Sequence, residues 1–246
     1  VMRILITNDD GIQSEGLKIL VEKAKKYGDI FVVAPLYEQS ANSHSICVRR
    51  GIKIAESNIF PGVKTYTVDS TPADCVRYTA YGLREDFDIV FSGINCGFNL
   101  GDDIFYSGTV AGASEGALVG KKGIAFSSHY QGYEGVIAYF DIVMEYIFSN
   151  KLLEKTNVLN VNFPRKVEGI KIAKQGYTHY DSHFVYENGE YFQRGKPRFD
   201  LEEKNVDGDV YAINHNYIAI TPLNIDRTDL IAYKEIVASV AQKNKK

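Results

Sequence analysis

The stretch Ile4–Gly11 reads ILITNDDG, and it indicates the fold of the whole chain. Its first part is continuously apolar, which is typical of a strand covered on both faces of a parallel sheet. Asn8-Asp9-Asp10-Gly11 follows at once, with no Lys or Arg beside the two carboxylates. Adjacent carboxylates repel each other, so this strand end raises the question of what balances their charge.

Similar apolar strands recur along the chain and alternate with segments whose apolar residues have helical spacing. We predict strands at residues 3–7, 30–35, 46–55, 64–68, 88–92, 123–127 and 158–163. We predict helices at residues 17–24, 73–83, 109–118, 136–148 and 228–242. Such alternation predicts an α/β fold with a mainly parallel sheet and helices on both faces.

The pattern changes after Pro164. Residues 170–220 are rich in tyrosine and in strand and turn signals, and Asn188-Gly189 predicts a β-hairpin. The 246 residues suffice for one well-buried α/β domain with an appendage. We therefore expect a single domain, with a core at 1–165 and a β-rich arm and C-terminal helix at 166–246.

Composition limits the function classes. The net charge of -3 argues against a strongly basic nucleic-acid binder, so we expect no stable nucleic-acid binding. No N-terminal signal segment and no apolar run of about 18 residues is present, which predicts no membrane association. The three cysteines, Cys47, Cys75 and Cys96, are far apart, which is typical of buried thiols in a reducing compartment. We expect a cytoplasmic protein.

Polar clusters follow four of the predicted strands, at residues 8–11, 39–44, 93–97 and 127–129. Ligands of open parallel sheets bind beyond the carboxyl ends of the strands, so these clusters should meet at one edge. Carboxylate, hydroxyl and amide oxygens suit Mg²⁺ or Mn²⁺ better than Zn²⁺. Asn, Asp and Gly are also common in turns, and a plain turn that caps a helix is the alternative for Asn8–Gly11.

A second signal is Gly101–Ala117, which reads GDDIFYSGTVAGASEGA. Ser107-Gly108-Thr109 precedes a helix of small residues, whose free N–H groups would bind an anion. The alternative is an ordinary helix cap with small residues for close packing. A metal and an anion at one edge suggest phosphate-ester chemistry. The chain lacks the glycine-rich motifs of P-loop NTPases and of dinucleotide-binding enzymes.

Six stretches together resemble the successive signature blocks of the SurE survival-protein family, which comprises metal-dependent nucleoside monophosphate phosphatases. They span nearly the whole chain, in order and at natural spacing. They are ILITNDDGIQSEGL (4–17), VVAPLYEQSANSHSI (32–46), STPADCV (70–76), SGINCGFNLGDDIFYSGTVAGASEGA (92–117), AFSS (125–128) and YIAITPL (217–223).

This resemblance implies site residues. Four positions match the family's ligands for one divalent metal per subunit, Mg²⁺ or Mn²⁺ above other divalent cations: Asp9, Asp10, Ser40 and Asn95. The substrate and phosphate region matches Asn99, Ser107, Gly108 and Thr109. His44 is a candidate acid for the leaving ribose oxygen because of its position in the polar loop at 39–44, not because of the resemblance. The expected catalytic residues are Asp9, Asn95 and Ser107. Among the other histidines, His129 belongs to the polar cluster at 127–129, which is expected at the binding edge of the sheet.

The resemblance also implies a fold and an activity. The family fold is a Rossmann-like three-layer sandwich with a β-hairpin arm and a C-terminal helix exchanged between subunits of a homodimer or homotetramer. The expected activity is hydrolysis of nucleoside 5′- and 3′-monophosphates to nucleoside and phosphate, with short-chain polyphosphate as a further substrate. A non-nucleotide phosphatase and a non-catalytic nucleotide-binding protein are the alternatives.

The chain departs from the family pattern in two loops. Asn42-Ser43 stands where many members carry Thr-Gly, and Cys96 and Phe98 replace small or Pro-type residues. We expect these changes to affect loop shape and base selectivity rather than the metal ligands.

Overall fold

The computed structural model describes residues 1–243, so residues 244–246 of the predicted arm lie outside the description. The strands are β1 (Arg3–Thr7), β2 (Asp29–Pro35), β3 (Ile54–Glu56), β4 (Thr65–Val68), β5 (Ile89–Cys96), β6 (Lys122–Ser128), β7 (Val158–Phe163), β8 (Gly169–Ile172), β9 (His183–Glu187), β10 (Glu190–Arg194) and β11 (Tyr217–Leu223). The α-helices are α1 (Glu15–Ala24), α2 (Pro72–Arg77), α3 (Gly108–Leu118), α4 (Glu134–Ser149), α5 (Leu152–Lys155), α6 (Asp209–Asn214) and α7 (Leu230–Lys243).

Nine strands form one sheet in the order β3-β4-β2-β1-β5-β6-β7-β11-β8. The run from β4 to β7 is entirely parallel. β3 is antiparallel to β4, and β11 is antiparallel to β7 but parallel to β8. This arrangement confirms the predicted α/β fold with a mainly parallel sheet.

Helices cover both faces because the central strands are apolar on both sides. Leu17 and Leu20 of α1 and Phe140 of α4 pack in one large core with Ile4 and Ile6 of β1. On the opposite face, Cys75 and other residues of α2 pack against Leu5. Successive residues of β1 thus point alternately into two cores, one on each face of the sheet, which explains why the run is continuously apolar.

The order in which strands are added to the sheet changes direction at β1. The chain pairs β2 on one side of β1 and later returns to place β5 on the other side. Such a switch point opens a crevice at the carboxyl ends of the two strands, where ligands of this fold class bind. Asp9 and Asp10 follow β1, and Asn95 lies at the end of β5, so the crevice falls between them.

One predicted strand is shorter than expected, and one predicted helix changes its type along its length. Only Ile54–Glu56 of the predicted strand 46–55 joins the sheet. The preceding residues lie outside it, with Val48 76% exposed and the N–H of Cys47 bonded to Asp74 of α2. The predicted helix 73–83 is α-helical to Arg77 and continues as a wider π-helical turn at Tyr78–Leu83.

The predicted hairpin is present, with Asn188 and Gly189 at positive φ between β9 and β10. The rest of residues 170–220 was not all strand, because the segment also contains α6 and a 3₁₀ turn at Phe199–Glu202. β8 and β11 belong to the main sheet rather than to a separate arm.

The C-terminal helix α7 carries its apolar side chains on the outside. Leu230, Ile231, Tyr233 and Ile236 are all more than half exposed. Within residues 1–243, no helix is both long and apolar enough to cross a membrane.

Candidate active site

An acidic cavity of about 510 Å³ lies at the carboxyl ends of β1 and β5. It brings together six of the predicted site residues: Asp9, Asp10, Ser40, Asn95, Asn99 and Ser107. Seven further residues, which the sequence did not single out for the site, also line it: Glu38, Ala41, Cys96, Phe98, Asp103, Tyr106 and Tyr180. The sheet edge therefore collects polar side chains from four separate parts of the chain.

Asp9 is the most buried acid of this cavity, with 4% of its surface exposed. The pKa of Asp9 is raised to about 6, mainly by burial. A hydrogen bond from the Thr109 hydroxyl to Oδ1 lowers the pKa, and the charge of Asp10 adds to the rise. The carboxylate of Asp9 is therefore costly to keep charged unless a cation or further donors approach it.

Asp10 is half-buried beside it. Burial raises the pKa of Asp10, the N–H of Cys96 lowers it by donating to Oδ2 at 3.2 Å, and the charge of Glu38 raises it. Four carboxylates thus line one small cavity: Asp9, Asp10, Glu38 and Asp103. Glu38 could have been noticed in the sequence, because it lies two residues before Ser40 in the same polar loop.

The fit of a metal to this cavity rests on the donors that line it. Within residues 1–243, neither Asp9 nor Asp10 forms an ion pair with Lys, Arg or His. The same part of the chain contains no cluster of three His, Cys, Asp or Glu side chains in metal-binding geometry. Two uncompensated carboxylates with hydroxyl and amide oxygens fit a hard divalent cation that keeps several waters.

The loop after β2 places Ser40 beside the two aspartates. The N–H of Gln39 donates to the carbonyl of Asp9 at 2.7 Å, and the Ser40 hydroxyl donates to Glu38 at 2.6 Å. Ser43 fixes the far side of the loop by donating to the carbonyl of Phe105 at 2.6 Å. The exposed loop is therefore tied to the strand end that carries Asp9.

A bulge at the end of β5 positions Asn95. The pairing of β5 with β6 shifts register between Ser92 and Asn95, and bulges commonly re-aim side chains at active sites. Gly93 has a φ of 130°, and a Cβ there would lie 2.3 Å from the carbonyl oxygen of Phe126. The Asn95 amide nitrogen donates to Gly97 at 2.9 Å, so Oδ1 is the atom that a cation would use.

A buried network of hydrogen bonds holds Asn99 in position. Its side-chain nitrogen donates to Ser127 at 2.8 Å, and its N–H donates to Asn162 at 2.9 Å. Asn160 and Asn162 both donate to its carbonyl. The sequence contained a signal for these partners, because the strand VLNVNF places two Asn on one side of an otherwise apolar β7.

The start of α3 touches Asp9 directly. Ser107 caps the helix by accepting from the N–H of Val110 at 3.0 Å. A Cβ on Gly108 would lie 2.8 Å from the Cβ of Asp9, so only glycine lets the helix end approach so closely. The side chain of Thr109 is fully buried and bonded to Asp9, and neither Gly108 nor Thr109 lines the acidic cavity.

The small residues of α3 also serve close packing. A Cβ on Gly112 would meet the side chains of Ser92 and Thr7 at 2.8 and 3.0 Å. A Cβ on Gly116 would lie 2.7 Å from Val90. The packing alternative for this helix is therefore correct, and it accompanies the contact between the helix start and Asp9.

The structure does not bring His44 into the acidic cavity. Its Nε2 lies 2.7 Å from the carboxylate of Glu115, which also accepts from Arg77 at 3.1 Å. His44 lines a separate cavity on the other side of Ser107. His129 lines a third cavity, and His179 is bonded to Glu202.

Known proteins are similar to this chain in sequence along most of its length. The chain is 40% identical over 243 residues to the 5′-nucleotidase SurE of Pelotomaculum thermopropionicum, an alignment covering 93% of this chain and 91% of that protein. It is 38% identical over 250 residues to the 5′-nucleotidase SurE of Clostridium botulinum strain Eklund 17B, covering 96% and 98%.

A solved structure supports the same relationship. The crystal structure of the SurE protein from Aquifex aeolicus matches with a TM-score of 0.78 and 33% identity, covering 95% of this chain and 98% of that one. The family model of survival protein SurE matches residues 4–182. Together with the acidic cavity at the switch point, these likenesses confirm the resemblance, and the chain belongs to the SurE family.

Proposed function

We propose that this protein is a metal-dependent phosphomonoesterase that hydrolyses nucleoside 5′- and 3′-monophosphates to nucleoside and phosphate. The observation that carries the proposal is the pair of buried Asp9 and half-buried Asp10, which has no cationic partner within residues 1–243. Asp9 of this pair lies against the start of α3. The names of the relatives in Pelotomaculum and Clostridium support the nucleotide as substrate.

Four side chains would hold one divalent cation, Mg²⁺ or Mn²⁺: Asp9, Asp10, Ser40 and Asn95. All four line the acidic cavity. When bound, the cation supplies Lewis-acid polarisation of the phosphoryl group. Glu38 holds the Ser40 hydroxyl in place and adds negative charge that favours the cation.

The remaining groups bind the phosphoryl oxygens and guide water. Ser107, Asn95 and the N–H groups at residues 107–109 would stabilise charge on those oxygens, because donors at a helix start favour anions. Asn99 lies nearby on its rigid polar network. Oδ2 of Asp9 does not engage Thr109, and we assign it the task of orienting or deprotonating the attacking water.

We propose in-line displacement by water without a phospho-enzyme. The acid for the leaving ribose oxygen stays an open assignment. His44 was the sequence-based candidate, and the present geometry pairs it with Glu115 outside the acidic cavity. Short-chain polyphosphate remains a predicted further substrate.

The exposed apolar surface supports a homodimer or homotetramer. Helix α7 exposes Leu230, Ile231 and Ile236, and the hairpin exposes Phe184 and Tyr191. Large apolar side chains concentrated on exposed elements are typical of interaction surfaces. Exchange of the C-terminal helix between subunits would cover them, and light scattering of the purified protein would measure the mass. The cytoplasmic location also remains a prediction.

Phosphate release from a substrate panel tests the proposed function. The panel comprises 5′- and 3′-nucleoside monophosphates, ribose 5-phosphate and short polyphosphate, each with EDTA, Mg²⁺ or Mn²⁺. We expect nucleotide hydrolysis that needs the metal. Hydrolysis of ribose 5-phosphate alone would indicate a non-nucleotide phosphatase, and nucleotide binding without turnover would indicate a binding protein. Undiminished activity in EDTA would contradict the metal site.

A further inference from the structure

A larger cavity adjoins the acidic cavity. It measures about 900 Å³, and Phe98, Asp103 and Tyr180 line both cavities. Further rings in its wall belong to His129, Tyr130 and Phe199, and we call it the aromatic cavity. Its volume lies within the range of small-molecule sites. A molecule with its phosphate at Asp9 could therefore extend into it past Phe98.

The rings of this cavity are arranged around His129. Phe98 meets His129 edge to face, with ring centroids 5.4 Å apart and an angle of 78° between the planes. Tyr130 stacks on His129 at 4.3 Å and 28°. Flat aromatic faces offer a surface on which any nucleobase can stack.

Two rings of the aromatic cavity, Phe98 and Phe199, are held by packing against the protein interior. Phe98 and Phe199 are half-buried and pack against a core that contains Leu100, Val210 and Ala219. Phe98 also directly precedes Asn99, which the polar network of β6 and β7 fixes. A ring held in this way loses little freedom on binding, which favours affinity.

The competing place for a nucleoside is the cavity of about 470 Å³ that contains His44. It shares only Ser107 with the acidic cavity, and its single aromatic ring besides His44 is Phe105. The guanidinium of Arg227 already lies over that ring, 5.8 Å from its centroid. The His44 cavity thus has about half the volume of the aromatic cavity, and a guanidinium already covers the one ring that it has besides His44.

We propose that the aromatic cavity is the nucleobase subsite, with Phe98 as the ring that a base stacks on and His129 and Tyr130 as its outer wall. This inference rests on the proposed function, since it takes the acidic cavity as the phosphate site. It makes Phe98, one of the departures from the family pattern, a specificity-determining residue for nucleotides over base-free phosphates.

The first test compares AMP with ribose 5-phosphate, which lacks the base. For Phe98→Ala and Tyr130→Ala, we expect kcat/KM for AMP to fall about tenfold, through KM, because base stacking is worth that much. Activity on ribose 5-phosphate should stay at the wild-type level for Tyr130→Ala, and for Phe98→Ala, whose ring also lines the acidic cavity, it should fall by less than the activity on AMP. Phe105→Ala in the His44 cavity is the matched control and should leave both substrates unaffected. Tyr130 is 66% exposed, so its variant tests the subsite even if Phe98→Ala fails to fold.

The second test measures binding of adenosine by calorimetry in EDTA, without any turnover. We expect wild type and Phe105→Ala to bind adenosine and Phe98→Ala to bind it about tenfold more weakly. Equal losses on AMP and ribose 5-phosphate, or an adenosine affinity that only Phe105→Ala reduces, would overturn the subsite. Adenosine binding that depends on Phe98, in a protein that hydrolyses no nucleotide, would instead refute the proposed function and retain the subsite.

Discussion

Two buried carboxylates lie along helix α3 in opposite surroundings. Asp9 touches the first turn of α3 and is 4% exposed, while Glu115 belongs to α3 itself and is 2% exposed. Burial dominates at Asp9 and raises its pKa to about 6. At Glu115 burial also acts to raise the pKa, but His44 and Arg77 together outweigh it, so the pKa is lowered.

The difference separates a site from a structural contact. Thr109, which binds Asp9, and Glu115 are six residues apart, or about 9 Å along a helix. Within residues 1–243, the carboxylate of Asp9 has no cationic partner, whereas the carboxylate of Glu115 is paired with His44 and Arg77. A buried charge without a partner is costly, so it persists where a ligand completes it.

The largest expected effect follows from Asp9→Asn. Losing one carboxylate of the proposed metal-binding pair should lower kcat/KM with Mg²⁺ by about a thousandfold, since a metal contributes several kcal/mol to such reactions. The free energy of unfolding in EDTA at pH 7 should not fall, because the change removes a poorly solvated charge. Steady-state kinetics and urea titrations measure the two quantities.

Asp86→Asn is the matched control, because Asp86 is a carboxylate at the surface that pairs with Lys121. It should keep full activity. Retention of activity by Asp9→Asn would place the metal elsewhere and remove the contrast with Glu115.

Gly108→Ala should have the next largest effect. The added Cβ would lie 2.8 Å from the Cβ of Asp9 and 3.0 Å from its Oδ2, so either the helix or the carboxylate must move. Misplacement by about 1 Å costs enzymes about a hundredfold, and we expect that loss in kcat/KM. Gly51→Ala is the control, because nothing lies within 4 Å of its added Cβ. Equal activity of the two variants would refute the close approach.

Thr109→Val tests the hydroxyl that supports Asp9. The change keeps the shape of the side chain and removes its hydrogen bond to Oδ1. A bond to a charged group contributes about 1.5–3 kcal/mol, so we expect kcat/KM to fall about tenfold and Mn²⁺ to bind more weakly. Thr109→Ser restores the hydroxyl and should recover both, whereas a purely steric role would leave Thr109→Ser impaired.

Glu115→Gln should change activity least. The change removes the carboxylate charge that both His44 and Arg77 contact. The free energy of unfolding should therefore drop by about 1–3 kcal/mol. The loss stays moderate because Arg77 is partly exposed, which weakens its ion pair. Near wild-type kcat/KM would confirm a structural role. A fall in kcat comparable to that of Asp9→Asn would instead support His44 as a catalytic acid.

The pH dependence of stability gives Glu115 a second signature. Its pKa lies below the ordinary 4.5 in the folded state, so its pairing stabilises the protein above that pH and is lost as the pH falls through the folded-state pKa. Between about pH 5 and pH 3, wild type should therefore lose more unfolding free energy than Glu115→Gln. Parallel curves for the two proteins would contradict the ion-paired state of Glu115.

Much of the site was predictable, because it follows strand ends. An apolar run followed by Asn8–Gly11 places Asp9 and Asp10 at the carboxyl end of a central strand. The same rule located the polar clusters at 39–44 and 93–97, and the family resemblance singled out Ser40 and Asn95 within them, which line the same cavity. His44 was predicted by the same rule and lies outside that cavity, since a loop position does not determine the direction of a side chain.

Other members of the site come from distant segments. Tyr180 reaches the cavity from the segment before β9, and its hydroxyl lies 3.3 Å from Asp103. No periodicity relates these two positions, and only the folded chain brings them together. The predicted strand at 46–55 begins later than expected for a similar reason, because the N–H of Cys47 binds Asp74 of α2 rather than a neighbouring strand.

The sequence by itself determined the α/β architecture, the strand that ends in paired carboxylates and the family, because local periodicity and motifs encode them. Tertiary structure alone decided which buried carboxylate is balanced and which is not. That outcome depends on the partners that reach each group across the fold, such as Arg77 and His44 at Glu115. Burial and long-range contacts set the energy of a charge, and neither can be read from the residues beside it.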